Sequence, residues 1–314
     1  MKDIQITSDF CVDHLCVAFP NSMKSANVLS DINVVFRHGI AAAVIGESGC
    51  GKSVLVLALL GLLPKYASVH GHIFYNSFDV LSVPFAIIQS NLSKHWGIIP
   101  QSPSDALNPI RKIKKQFDDI GKNASRGNFS VEELCDSLTS LGLSDIERIL
   151  QSYPHELSGG MLQRILFAMA VCCEPEWVFA DEPTKGLDEQ SRQQVSHNLL
   201  HLKTKKTQSM ILITHDLPLT EEICEVVVVM YAGEIMEITN SVYTNGLHPY
   251  TRALIAALPI NGFNPIPDGP VKNGSSRQCR FAPHCAYASK QCKHSHPNLY
   301  SVDDMHKVRC FLYA

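Results

Sequence analysis

Gly46-Glu47-Ser48-Gly49-Cys50-Gly51-Lys52-Ser53 narrows the choice of fold more than any other segment of this chain. Glycine takes backbone conformations closed to other residues, so a loop built on it can turn successive N–H groups toward one point. A β-branched apolar run, Ala41 to Ile45, comes before the loop, and a helix-forming run beginning at Val54 follows it. Strand, glycine-rich loop and helix in that order are the context of a phosphate-binding loop. The positive end of the helix then faces the anion. Lys52 is expected to meet the β- and γ-phosphates, the Ser53 hydroxyl to bind Mg²⁺, and Gly46, Ser48, Gly49, Cys50 and Gly51 to form the cradle. A chance glycine-rich turn is the bland reading, and the flanking strand and helix weigh against it.

Trp177-Val178-Phe179-Ala180-Asp181-Glu182 supplies the complementary half. An apolar strand ending in a carboxylate suits a Mg²⁺ site, so Asp181 is expected there, and Glu182 can orient or deprotonate an attacking water. Further buried strands are expected at Trp96 to Ile99, Ser209 to Thr214 and Val226 to Met230. Strands alternating with amphipathic segments imply an α/β fold around a mostly parallel sheet. Between Phe117 and Leu150 the pattern turns helical, and Ser130 with Glu133 forms a capping-box sequence ahead of Leu134, Leu138 and Leu141. After Pro259, Asn261 to Pro270 is rich in turn formers and reads as a linker.

Twenty-seven Lys and Arg against thirty Asp and Glu give a net charge of −3, so no overall basic field recruits nucleic acid. The longest apolar stretch, Val54 to Leu63, is far short of the ~20 residues that span a bilayer. The opening residues Met1-Lys2-Asp3-Ile4 lack the apolar core of a secretory signal, and a cytoplasmic location is expected.

Leu157-Ser158-Gly159-Gly160-Met161-Leu162-Gln163-Arg164, ahead of the acidic strand, closely resembles the signature of ATP-binding cassette (ABC) proteins. The resemblance implies a P-loop ABC-type ATPase with a helical subdomain over about 102–172. It implies that Gln101 is the Q-loop glutamine near Mg²⁺ and a membrane partner, and that Asp188 ends the D-loop. It further implies that His215 contacts the γ-phosphate and that Phe19 stacks on adenine. Ser158, Gly159 and Gly160 open a helix whose anion would come from a neighbour, since two cassettes of this family pair head to tail across ATP. On this basis ATP clamps the pair and hydrolysis releases it.

Three segments resemble the oligopeptide, dipeptide and nickel import branch. They are Pro100 to Pro109, Tyr153-Pro154-His155-Glu156, and Leu247 to Leu254 with Ala257-Leu258-Pro259. Ser102, Ala106 and Lys185-Gly186 depart from the branch pattern, which leaves peptide and nickel chelate open as cargo. The resemblance implies an importer ATPase on the cytoplasmic face of the membrane. Its expected partners are two permease subunits, a second and paralogous ATPase, and an extracytoplasmic substrate-binding protein. The chain divides on this reading into a nucleotide-binding domain, 1–259, and a C-terminal extension, 260–314. Rival readings are a soluble cassette mechanoenzyme and an iron–sulfur sensor regulated by ATP.

Cys279, Cys285, Cys292 and Cys310 follow the linker. Their spacing resembles the C-terminal cysteine set of this branch, in which some members bind a [4Fe-4S] cluster. Four thiolates suit such a cluster. Zinc and unliganded structural cysteines remain the alternatives, although zinc favours close Cys-x2-4-Cys pairs that are absent here. The nearby His284, His294, His296 and His306 read as solvated. Cys50, next to a helix N-terminus, is expected to have a lowered thiol pKa and to be the site through which alkylation inhibits.

Overall fold

The computed structural model describes residues 8–20, 27–187, 189–204, 209–258, 261 and 278–314. In chain order the first elements are strands β1 (Phe10–Ala18), β2 (Leu29–Phe36) and β3 (Ala41–Ile45), helix α1 (Lys52–Leu59), and strands β4 (Ser68–Tyr75) and β5 (Phe78–Asp79). Next come α2 (Phe85–Lys94), β6 (Trp96–Ile99), α3 (Pro103–Ala106), α4 (Ile113–Asn123), α5 (Val131–Ser140), α6 (Ile146–Gln151) and α7 (Gly159–Val171). They are followed by β7 (Trp177–Asp181), α8 (Glu189–Thr204) and β8 (Ser209–Ile213). The last are α9 (Leu217–Ile223), β9 (Val226–Tyr231), β10 (Glu234–Thr239), α10 (Val242–Asn245), α11 (Pro249–Ala256), α12 (Lys290–His294), β11 (Tyr300–Ser301) and β12 (Lys307–Val308). The chain falls into two compact units, one of residues 1–81 with 214–314 and one of residues 82–213.

In the first unit, β2-β1-β4-β5 form an antiparallel sheet. Phe10, Val12, Leu15 and Val17 of β1 point to its buried face. The irregular register around His14, whose φ is 49°, keeps those residues inward across one extra position. The same unit pairs β3 with β9 in parallel, β9 with β10 antiparallel, and β10 with the tail strand β12 antiparallel. Every residue of β3 is buried, as expected of an Ala-Ala-Ala-Val-Ile run covered on both faces.

The second unit holds β6, β7 and β8 in parallel, with Trp96 opposite Trp177 and Trp177 opposite Ser209. Both indoles are almost completely buried. The capping box forms as its sequence implies. The Ser130 side chain accepts the Glu133 N–H at 3.1 Å, and the Glu133 carboxylate accepts the Ser130 N–H at 2.7 Å. Leu134 and Leu138 turn inward from α5. These strands coincide with the apolar runs of the sequence to within one residue at their ends. In the first unit the strands are mixed in direction, because β10, β11 and β12 pair antiparallel beside the parallel pair β3 and β9. The linker lies, Asn261 apart, outside the described residues.

Candidate nucleotide site

In the first unit the loop between β3 and α1 is shaped by close approach as much as by φ. Gly46 has φ 147°, and a Cβ there would meet the Met230 carbonyl oxygen of β9. Gly51 has φ 107°, and a Cβ there would press on Leu29 and on the Val28 carbonyl. The Lys52 side chain is 7% exposed and folds back into the loop, where Nζ donates to the carbonyls of Gly46 and Glu47 at 2.8 Å each. Ser48, Gly49 and Ser53 are exposed, so the rim of the loop is open to a ligand. His215 is exposed and follows directly on Thr214. The Thr214 hydroxyl accepts the Asp216 N–H at 3.0 Å, and Asp216 caps α9 by accepting from Leu219. Phe19 is half-buried and tilted against Tyr66, ring centroids 6.1 Å apart. The sequence reading did not single out Tyr66, which has no motif around it.

Cys50 overturns one expectation. Its side chain is 5% exposed, and burial pushes the thiol pKa up, outweighing the lowering by Lys52. A helix N-terminus favours a thiolate, but removing the group from water costs it more here.

In the second unit Asp181 ends β7 and is half-buried. Glu182 takes φ 48°, and its N–H donates to the Ile213 carbonyl at 2.8 Å, which turns the chain sharply after the strand. Gln101 is exposed just beyond β6. The Ser158 hydroxyl accepts the Met161 N–H at 3.3 Å and caps α7, while Gly159 opens onto free space. Gln163, on the buried side of α7, donates to the Pro183 carbonyl. That bond ties the signature helix to the turn after Glu182, a role for Gln163 that the motif does not reveal. Arg164 donates to the carbonyls of Gly160 and Gly142. Asp188 lies outside the described residues. Lys52, Phe19 and His215 thus belong to one unit, and Gln101, Ser158, Gly160, Asp181 and Glu182 to the other.

The tail corrects the reading of its histidines. His306 is buried with Nε2 2.6 Å from Glu237, and His296 Nε2 lies 2.9 Å from Glu234. Only His294 is well exposed. Burial raises the thiols of Cys279, to about 11, and of Cys285 and Cys310. Among the described residues no group of three or more His, Cys, Asp or Glu is arranged to hold a metal ion.

Residues 29–185 match the family model described as ABC transporter. The dipeptide transport ATP-binding protein DppD of Escherichia coli K12 is 33% identical over 310 residues, covering 95% of each chain. The chain belongs to the ABC transporter ATPase family. Residues 236–292 match the oligopeptide/dipeptide transporter C-terminal region. The oligopeptide transport ATP-binding protein OppD of the same organism is 33% identical, over 91% of this chain and 88% of the relative. The dimeric ATP-binding cassette MJ0796 in a post-hydrolysis state bound to ADP and phosphate has the same fold. Its TM-score is 0.65 at 20% identity, over 74% of this chain and 98% of that one. As an ABC ATPase the chain binds ATP with Mg²⁺ and hydrolyses it. Among the described residues no helix is long and apolar enough to cross a membrane.

Proposed function

We propose that this ABC ATPase powers an importer of dipeptides or oligopeptides, with nickel or other metal chelates as the alternative cargo. The supporting observation is a complete set of ATP motifs joined to an oligopeptide/dipeptide-type C-terminal region in one chain. Gly46, Ser48, Gly49, Cys50, Gly51 and Lys52 bind the phosphates, and Phe19 stacks on adenine. Ser53, Asp181 and Gln101 would hold Mg²⁺, which supplies charge neutralisation on the β- and γ-phosphates. Glu182 positions and deprotonates the attacking water, and His215 senses the γ-phosphate. Ser158, Gly159 and Gly160 serve the ATP of a paired cassette, and Asp188 ends the D-loop.

On this reading residues 1–259 are the nucleotide-binding domain, with a helical subdomain at about 102–172, and residues 260–314 are an extension. The chain works at the cytoplasmic face of the membrane with two permease subunits, a second and paralogous ATPase, and an extracytoplasmic substrate-binding protein. Reconstitution with those partners tests it. Dipeptides or oligopeptides with the binding protein should stimulate ATP turnover; stimulation by nickel chelates alone would shift the cargo, and no coupling to any solute would reject the importer.

The four tail cysteines are proposed to carry a [4Fe-4S] cluster, supported by their number within one short tail segment and by the suitability of four thiolates for such a cluster. Such a cluster would staple a segment with little core of its own. Iron and acid-labile sulfide in anaerobically purified protein test this. Zinc, or no metal, in the same preparation rejects the cluster.

A further inference from the structure

We propose that Tyr250 is a positioning residue for the phosphate loop, through which the C-terminal tail sets the affinity for ATP. This rests on the reading of the loop as the ATP site. The Tyr250 hydroxyl oxygen accepts the Glu47 N–H at 2.9 Å. The carbonyl of that same peptide, Gly46 O, accepts the Lys52 ammonium at 2.8 Å. A trans peptide directs its N–H and its C=O to opposite edges, so Tyr250 and Lys52 grip one peptide plane from its two edges. With the Glu47 N–H turned toward the phenol, the plane cannot rotate without breaking both bonds. The loop is thereby preorganised, and the lysine is held where a phosphate would compete for it.

The phenol is itself held by the tail. Its ring is fully buried and lies 4.6 Å from the Tyr231 ring and 5.4 Å from that of Phe281, centroid to centroid. Phe281 is two residues from Cys279. Burial pushes the Tyr250 pKa well up, so the hydroxyl stays neutral. Arg280 adds a second route. Its guanidinium donates to the Ala232 carbonyl and to the Ser30 hydroxyl and pairs with Glu234 at 2.8 Å. The next residue of that turn, Gly233, donates its N–H to the Cys50 carbonyl of the loop at 2.9 Å. The segment that carries the four cysteines therefore braces the loop at Glu47 and at Cys50.

Tyr250→Phe removes the hydroxyl and keeps the ring. ATP binding with Mg²⁺ and steady-state hydrolysis are measured on the full chain with its membrane partners. Losing one hydrogen bond made in ground and transition states alike should weaken ATP binding and raise KM about fivefold, with kcat within about twofold. Phe281→Leu should shift KM in the same direction by a smaller factor. Tyr231→Phe, altered in the same aromatic cluster, should bind like wild type. Unchanged affinity in Tyr250→Phe overturns the proposal, as does an equal loss in Tyr231→Phe, which would mark a general packing effect. Wild-type affinity in Phe281→Leu removes the tail from it. Failure of the wild type to bind ATP would overturn the reading of the loop as well.

Discussion

His306 and Glu237 lie 2.6 Å apart, Nε2 to Oε1, in a site where the carboxylate is fully buried. The same carboxylate accepts the N–H groups of Leu247 and His248 and the Thr251 hydroxyl. One side chain on β10 thus joins the start of α11 to the tail. Glu237→Ala strands several buried donors at once and should cost about 3–5 kcal/mol. Urea unfolding with limited proteolysis of the tail measures it; a loss below about 1 kcal/mol would show that the cluster is dispensable.

His248 sets a pH dependence of stability. Burial holds its imidazole down to about 4, while its Nδ1 accepts the Tyr250 N–H at 3.0 Å. The unfolded chain takes up that proton near the ordinary value of about 6.5. The contribution is therefore complete above that pH, declines as pH falls, and is gone below about 4, amounting to about 3 kcal/mol. Urea midpoints followed from neutral to mildly acidic pH should show this slope, and His248→Asn should flatten it.

Thiol chemistry should avoid the phosphate loop. Cys172 and Cys173 have their sulfurs 4.0 Å apart, and the contact between them lowers the Cys173 thiol below its ordinary range. Cys50 is buried and its thiol is raised. Iodoacetamide at neutral pH should label Cys173 at least about tenfold faster than Cys50. Peptide mapping measures both, and rapid native-state labelling of Cys50 would contradict the burial argument.

Glu182→Gln should retain ATP binding and a stable closed pair while losing turnover by about 10²-fold or more, the usual size of general-base catalysis. Nucleotide binding and phosphate release are measured in parallel. Normal turnover would remove Glu182 from the water-activating role.

The elements most legible in the sequence were those whose demands are local. Gly46 and Gly51 announce the loop because a Cβ at either position has no room, and Ser130 with Glu133 announces a helix start because both partners lie within one turn. The buried strands β3 and β6 appear as unbroken apolar runs. Gln163 was visible inside the signature, but nothing in the motif points to Pro183, twenty residues on. Tyr66 beside Phe19 carries no pattern at all.

Residue type and order alone were enough to recognise the ABC cassette and its oligopeptide/dipeptide-type C-terminal region, because backbone φ, capping and strand patterning are short-range constraints written in neighbouring residues. Burial and distant pairing belong to the folded chain. Cys50 looked like an activated thiol until its removal from water reversed the shift, and His306 looked solvated until Glu237 was found against it. The Tyr250–Glu47 bond spans 203 residues, and only the packing of β9, α11 and the tail brings its two ends together.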